Sequence, residues 1–203
     1  GGRRLRPAAQ KTLLPTKKES MRIKDFLMFA RPANVVTAIA DILAGAAIAG
    51  AFSGIAWPDY GPLSLLVLAT SGLYAGGIVF NDVFDLETDR VERPERILPS
   101  GKIGLTTAYI FGGSLLLLGV IAASLVSLLS GSIALLVALL ALCYDKFGKH
   151  FQALGPINMG LCRAGNLLLG ISLSPVALAA HWWVGIIPVL FIAAMVSSVL
   201  SGS

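Results

Sequence analysis

One uncharged stretch decides the fold of this chain: residues 104–144 read GLTTAYIFGGSLLLLGVIAASLVSLLSGSIALLVALLALCY. A bilayer core about 30 Å thick is crossed by roughly 20 apolar residues of helix, so this stretch is too long for a single ordinary span. Ser130-Gly131-Ser132 interrupts the apolar run near its middle. We therefore expect two membrane-spanning helices here, joined at residues 130–132.

Most of the remaining chain is apolar too. Hydrophobic residues make up 56% of it and charged residues 13%, and the mean hydropathy of +0.80 leaves too few polar side chains to cover a water-soluble protein. Two further spans are expected from about Ala33 to Ile55 and from about Pro62 to Phe80, with a turn at residues 57–62 between them. Two more are expected between Phe151 and the end, divided at residues 172–175. The predicted fold class is all-α, a polytopic transmembrane helical bundle with about six spans present.

The net positive charge is confined to the beginning of the chain. Residues 1–20 contain six lysines and arginines and one glutamate, which accounts for the net charge of +5, and the later bases and acids cancel. No broad basic face for nucleic acid is therefore expected. We interpret residues 1–20 as a disordered basic tail or extension and residues 21–203 as the membrane domain. Cys143 and Cys162 lack the spacing of zinc ligands, and a disulfide between them is not expected.

The positions of lysine and arginine predict the orientation. Before the first span the bases are Arg22, Lys24 and Arg31; after the second, Arg90, Arg93, Arg96 and Lys102; after the fourth, Lys146 and Lys149. The loops between these segments contain none. Basic residues of short loops stay on the cytoplasmic side. With six alternating spans, we expect the N-terminus and all three basic segments on the cytoplasmic face of the cell membrane.

An acidic cluster follows the second predicted span, in the sequence Asn81-Asp82-Val83-Phe84-Asp85-Leu86-Glu87-Thr88-Asp89. Its aspartates are spaced i, i+3 and i+7, so they share one face if the helix continues past the membrane surface. Neighbouring carboxylates repel unless a cation lies between them, and oxygen ligands at this spacing suit Mg²⁺ that also binds diphosphate oxygens. We therefore predict Asp82, Asp85 and Asp89 as metal ligands and catalytic residues.

Several alternatives remain open at this stage. Charged runs are usually solvated loops, and residues 87–96 also contain three glutamates and three arginines in alternation. Asn34 and Asp41, two helical turns apart, either line one cavity or serve to cap and pair helices. Arg163 either extends to the surface, pairs with Asp41 or contacts substrate.

These residues resemble the motifs of the UbiA-type intramembrane prenyltransferases. The first aspartate motif of that family reads NDxxDxxxD, and residues 81–89 match it at every specified position. The segment Arg96-Ile97-Leu98-Pro99-Ser100-Gly101 is similar to the family's RPLPSG, and Arg31-Pro32-Ala33-Asn34 is similar to its RPxN. Tyr144 with Lys146 and Lys149 is similar to its Tyr-x-x-x-Lys, although neither lysine stands at the family's offset. Residues 31–50 and 144–170 also resemble the UbiA-like EboC branch.

The resemblance implies Mg²⁺-dependent transfer of a prenyl group from a prenyl diphosphate to an aromatic or other lipophilic acceptor within the membrane. The substrate-binding residues that it implies are Asn34, Asn81, Arg93, Arg96, Tyr144, Lys146 and Lys149. Family members generally have nine spans and a second acidic motif after the sixth. We therefore expect this chain to be C-terminally truncated, and the sequence leaves open whether it is active without that motif. The alternative is a divergent, non-catalytic lipid carrier or scaffold.

Overall fold

The computed structural model describes residues 26, 29–30, 32–53, 60–146 and 154–201. The predicted tail, Arg22, Lys24, Arg31 and residues 57–59 of the predicted turn lie outside these ranges. The described part is helical and contains no strand. In chain order its helices are α1 (Pro32–Ile48), α2 (Tyr60–Phe84), α3 (Leu86–Glu92), α4 (Leu105–Val126), α5 (Leu128–Lys146), α6 (Leu154–Ile171), α7 (Pro175–His181) and α8 (Ile186–Ser201). A 3-10 turn over Trp182–Gly185 joins α7 to α8.

Helical segments occupy all six predicted span positions. Four stretches are long and apolar enough to cross a membrane, namely α2, α4, α5 and the α7–α8 unit over Pro175–Val196. The other two are α1, with 17 residues, and α6, with 18 residues including Arg163. Leucines on the outer faces of α4 and α5 remain more than half exposed, as at Leu118, Leu125 and Leu136. A helical bundle with outward-facing leucines is suited to lipid. The prediction of an all-α polytopic membrane protein is confirmed.

The first span ends at Ile48, earlier than the predicted Ile55. Gly50 adopts a positive φ of 80°, a conformation that glycine reaches without steric cost. Its N–H donates to the Ala47 carbonyl at 3.0 Å, and the Ala51 N–H donates to the Ala46 carbonyl at 3.0 Å. These bonds satisfy the last carbonyls of α1 and turn the chain away from the helix axis.

The break between the third and fourth spans lies at Ser127, so the prediction of a join at residues 130–132 was wrong by about one turn. Ser127 is extended, with φ −164° and ψ 158°. Its hydroxyl accepts a hydrogen bond from the Ser130 N–H at 3.0 Å, as an N-cap residue does at the start of a helix. Ser130 and Gly131 therefore belong to the first turn of α5. Both are buried there.

Close approach of helix backbones depends on glycine. A Cβ atom at Gly45 of α1 would lie 2.8 Å from both Gly170 Cα and Ile171 N of α6. A Cβ atom at Gly72 of α2 would lie 2.7 Å from the Leu115 carbonyl oxygen of α4. The hydrophobic effect does not drive helices together in lipid. Small residues instead stabilise a helix pair by allowing close van der Waals contact. The α1–α6 and α2–α4 pairs are held in this way.

Four polar contacts connect α6 to its surroundings. The Thr70 hydroxyl of α2 donates to Asn166 Oδ1 at 3.0 Å, and Asn158 Nδ2 donates to the Leu140 carbonyl of α5 at 2.9 Å. Arg163 Nη2 donates to Asp41 Oδ1 of α1 at 2.8 Å, so the ion pair proposed for these two residues is present. Just beyond α6, the hydroxyls of Ser130 and Ser172 lie 2.8 Å apart. Intramembrane polar groups need such partners. Together they set the position of α6 against α1, α2 and α5.

The glycine contact between α1 and α6 can be tested with Gly45→Ala. The new methyl group would meet backbone atoms that cannot rotate away, so we expect the free energy of unfolding to fall by about 1 to 3 kcal/mol. Gly113→Ala in α4 is the matched control, because nothing lies within 4 Å of a Cβ atom there. That substitution should be neutral or slightly stabilising. Thermal unfolding in detergent measures both, and equal melting temperatures would contradict the contact.

Candidate active site

The second membrane helix carries the acidic motif out of the bundle. α2 continues to Phe84, past the predicted end at Phe80, and α3 begins at Leu86. Asp85 interrupts the helix with φ −88° and ψ 0°. Hydrogen bonds nevertheless run from the Asp85 N–H to the Asn81 carbonyl at 2.9 Å and from the Asp89 N–H to the Asp85 carbonyl at 2.8 Å. The i→i−4 pattern therefore continues through the motif, which keeps Asp82 and Asp89 on the same side.

The acids of this segment fall into two groups by burial. Asp82 is 6% exposed and Asp89 is 4% exposed, and Asp85 is partly buried. Glu87, Glu92 and Glu95 are exposed. A solvated charged loop would expose all of them alike, and carboxylates are rarely buried unless they have a partner. The alternative of a solvated charged loop therefore applies to the glutamates and not to the motif aspartates.

Arg96 is the partner of the two buried aspartates. Its Nη1 atom lies 2.5 Å from Asp89 Oδ2 and 3.6 Å from Asp82 Oδ1. Burial is the largest single effect on the pKa of Arg96 and lowers it. The hydrogen bond to Asp89 and the charges of Asp82, Asp89 and Asp85 together outweigh burial and raise the pKa above its usual value. The guanidinium thus stays charged at every pH at which the carboxylates are ionised, and the ion pair contributes stability as long as they remain so.

The loop that carries Arg96 is held by its own sequence. Leu98 and Ile103 are buried in a cluster with Val79 and Val83 of α2. Within the loop the Ser100 N–H donates to the Arg96 carbonyl at 2.9 Å, and Gly101 has a φ of 73°. A positive φ favours glycine, so the sequence of residues 96–101 combines an ionic contact, an apolar anchor and a turn. This arrangement fixes the guanidinium over the acids.

A cavity of about 290 Å³ opens beside the motif, between α2, α5 and α6. Its polar lining groups are Asn81, Tyr144, Asp145 and Asn166. The remaining lining residues are mostly apolar or small: Leu73, Tyr74, Gly77, Ile78, Val137, Ala141, Met159 and Cys162. The first residue of the motif therefore faces a largely apolar space inside the bundle. Such an arrangement suits a ligand with a charged head and an apolar chain.

Comparison with known proteins identifies the family of this chain. The profile of the UbiA prenyltransferase family matches residues 42–201. The chain belongs to that family. Digeranylgeranylglyceryl phosphate synthase from Methanosarcina mazei is 32% identical over 160 residues, which are 78% of this chain and 54% of that protein. The synthase of the same name from Methanococcoides burtonii is 35% identical over 153 residues, which are 73% and 54% of the two chains.

Solved structures of UbiA-type proteins share the fold. One, from a study of digeranylgeranylglyceryl phosphate synthase in membranes, has a TM-score of 0.75 at 29% identity and covers 84% of this chain and 59% of that one. Another is a UbiA homologue from Archaeoglobus fulgidus bound to GPP and Mg²⁺, with a TM-score of 0.62 at 18% identity over 79% and 59% of the two chains. The second likeness concerns the fold alone. This chain spans about half the length of the curated relatives that it matches.

Not all the residues predicted for this UbiA-type site are brought together. Asn81 and Tyr144 line the cavity, whereas Lys146 is exposed at the end of α5. Arg93 is exposed and forms no ion pair with a described residue. Asn34 lies in the first turn of α1, and its side chain is outside the described part, as is the whole of Lys149. The roles of these residues remain predictions.

Asp145 is a cavity residue that the sequence analysis missed. It is 5% exposed and lines the cavity beside Tyr144. Its signal in the sequence was an acid placed directly after the uncharged run of residues 104–144. Only the packing of α5 against α2 and α6 turns this position inward.

The donor chemistry of the site fits a hard cation, although among the described residues no three or more His, Cys, Asp or Glu side chains form a ready metal centre. Asp82 and Asp89 both reach a single cationic atom, Nη1 of Arg96. Two carboxylates that converge on one positive atom are the kind of oxygen ligands that Mg²⁺ takes. Asp85, adjacent and partly buried, is the third acid within the motif.

Replacing Arg96 tests its role as the counter-charge. In Arg96→Gln two neighbouring buried carboxylates lose their positive partner, so we expect stability to fall by up to about 3 kcal/mol. Hydrogen–deuterium exchange over residues 86–101 should become faster. Arg93→Gln changes an exposed arginine of the same loop and should leave exchange unaltered. Identical exchange in the two variants would show that Arg96 does not hold the acids.

Proposed function

We propose that this protein transfers a prenyl group from a prenyl diphosphate to a lipophilic acceptor within the membrane, with Mg²⁺ as cofactor. The observation that carries the proposal is the pair Asp82 and Asp89, buried and directed at one cationic atom beside a largely apolar cavity. Membership of the UbiA prenyltransferase family supports the same reaction class. The GPP and Mg²⁺ bound to the Archaeoglobus fulgidus homologue are consistent with the donor and the cofactor.

In this proposal Asp82, Asp85 and Asp89 hold the cation, and Asn81 orients the donor at the cavity mouth. Mg²⁺ supplies charge neutralisation as diphosphate departs from the prenyl carbon. Arg96 would release the carboxylates to a bound cation, and its guanidinium would then be available to bind diphosphate oxygens. Arg93 and Lys146, both exposed, supply further positive charge, as does Lys149. Arginine is suited to this exchange because its planar donors bind carboxylate and phosphate equally well.

The cavity provides the environment that the transferred group needs. An allylic carbon that loses diphosphate becomes cationic and reacts with any water nearby. Leu73, Ile78 and Val137 line this space with apolar side chains, which would limit the water near the reacting carbon. Tyr144 also lines the cavity, and an aromatic ring there would attract a cation. An isoprenoid chain would lie along α2 from the motif toward Leu73.

The acceptor in this proposal is an aromatic quinone precursor or a lipid with a free hydroxyl group. The digeranylgeranylglyceryl phosphate synthases that resemble this chain favour the second, since their named product carries two geranylgeranyl groups on glyceryl phosphate. A geranylgeranylglyceryl phosphate is therefore the first acceptor to test. The proposed location is the cell membrane, with the motif and the basic loops on the cytoplasmic face, as the positions of lysine and arginine predict.

The reaction can be measured with the protein that carries this chain, in lipid nanodiscs. We expect transfer of labelled geranylgeranyl from its diphosphate to geranylgeranylglyceryl phosphate or to 4-hydroxybenzoate, and loss of the transfer with EDTA. Asp82→Asn and Asp89→Asn should each lower the rate by at least about 100-fold, because each removes a charge that stabilises the departing diphosphate.

Glu87→Gln and Glu92→Gln are the matched controls, since these acids lie on α3 beside the motif but are exposed. Both should retain the wild-type rate within about twofold. Transfer that survives in the Asp82 and Asp89 variants would overturn the site. Absence of transfer from the unmodified protein with every acceptor would favour a carrier or scaffold that keeps the UbiA fold.

A further inference from the structure

Every acceptor of a prenyl group has a proton to lose. A hydroxyl that attacks the prenyl carbon becomes a positively charged oxonium, and an attacked aromatic carbon retains its original hydrogen until a base removes it. In water the solvent takes that proton. In a largely apolar cavity the departing diphosphate can take it, or a side chain within hydrogen-bond reach of the reacting atom.

The cavity offers few candidates for this task. Its lining residues include two tyrosines and a cysteine, and neutral hydroxyl and thiol groups are poor proton acceptors. Lysine and arginine are not among the lining residues, and Asp145 is the only carboxylic acid among them. From this geometry we infer that Asp145 is a catalytic residue that takes the proton of the attacking acceptor, a role that rests on the proposed prenyl transfer.

The position of Asp145 relative to the motif supports this role. Asp145 lies at the C-terminal end of α5 and is 5% exposed. Both Asp85 and Asp145 are near enough to Tyr144 for their charges to act on its hydroxyl. Tyr144 is thus near both the acidic motif and the proposed base, and Asn81 of the motif, Tyr144 and Asp145 line one cavity.

The step balances without any further reactant. A lone pair of the acceptor oxygen forms the new bond to the first carbon of the prenyl chain. The bond from that carbon to the diphosphate oxygen breaks, and its electron pair leaves with diphosphate. The proton of the acceptor moves to an oxygen of Asp145, which returns it to solvent when product departs.

The titratable groups near Asp145 include its chain neighbours Tyr144 and Lys146 on α5 and Cys162 on α6, and the charge of Asp85 also acts on Tyr144. A structural role for Asp145 within this group, as a polar contact that holds α5 in place, predicts that its loss lowers stability. A structural role does not predict that an external base restores the rate of transfer. Rescue by an external base therefore distinguishes a catalytic role from a structural one.

The test uses Asp145→Ala in nanodiscs, with single-turnover rates measured with and without formate or azide. We expect the rate to fall by about 100-fold to 10,000-fold. Formate or azide should raise the rate of this variant by at least about tenfold. Asp145→Glu should retain more activity than Asp145→Asn. Binding of geranylgeranyl S-thiolodiphosphate with Mg²⁺ should remain within about threefold of wild type. Asn158→Ala is the control for a structural loss, since Asn158 bonds α5 but does not line the cavity. Formate should not raise its rate.

Three results would overturn the role of Asp145: a rate loss below threefold, an equal loss of analogue binding, or a lost rate that neither formate nor azide restores. Failure of the proposed function is distinguishable from these results. In that case the unmodified protein itself transfers no prenyl group, whatever the residue at position 145.

Discussion

Two carboxylates buried side by side, Asp82 and Asp89, would repel each other strongly if nothing positive lay between them. Arg96 supplies that charge, through contacts of 2.5 Å and 3.6 Å from one nitrogen. Much of the surrounding structure follows from this contact. It requires α2 to continue beyond the apolar span, α3 to keep the i→i−4 pattern across Asp85, and the loop of residues 93–104 to fold back over both. Leu98 and Ile103 stabilise that return by burial in the cluster below the motif.

The same contact would stabilise the proposed cation site before its ligands bind. Loss of Arg96 would remove the ion pairs that it makes with two buried carboxylates, which is destabilising by up to several kcal/mol. In the proposed function, cation and diphosphate would together replace the ion pairs that the guanidinium gives up. Binding of the two ligands would then be coupled through one side chain. The bundle beneath supplies the apolar space, because α6 is held against α1, α2 and α5 by polar contacts and close glycines.

Local patterns in the sequence were enough for the helices and the motif. Apolar run lengths predicted the span positions, and the spacing of the aspartates predicted their common face. The pairing of Asp41 with Arg163 was one of three alternatives that the sequence left open, and the structure shows this pair. The break at Ser127 was misplaced because residues 124–132 contain several serines that a sequence pattern cannot tell apart. Only Ser127 caps the next helix in the structure. The contacts of Arg96 and the burial of Asp145 could not be predicted from local patterns. The contacts of Arg96 depend on how its loop folds back over the motif, and the burial of Asp145 depends on the packing of α5 against α2 and α6. Lys149 and the side chain of Asn34 lie outside the described residues and stay predictions.

Electron paramagnetic resonance of Mn²⁺ substituted for Mg²⁺, with geranylgeranyl S-thiolodiphosphate present, tests most directly whether Asp82 and Asp89 bind the cation. We expect Mn²⁺ to bind with ³¹P hyperfine coupling from the diphosphate, and the bound signal to be lost in Asp82→Asn and in Asp89→Asn but not in Glu87→Gln. Mn²⁺ that binds with the same ³¹P coupling after either aspartate is replaced would contradict it.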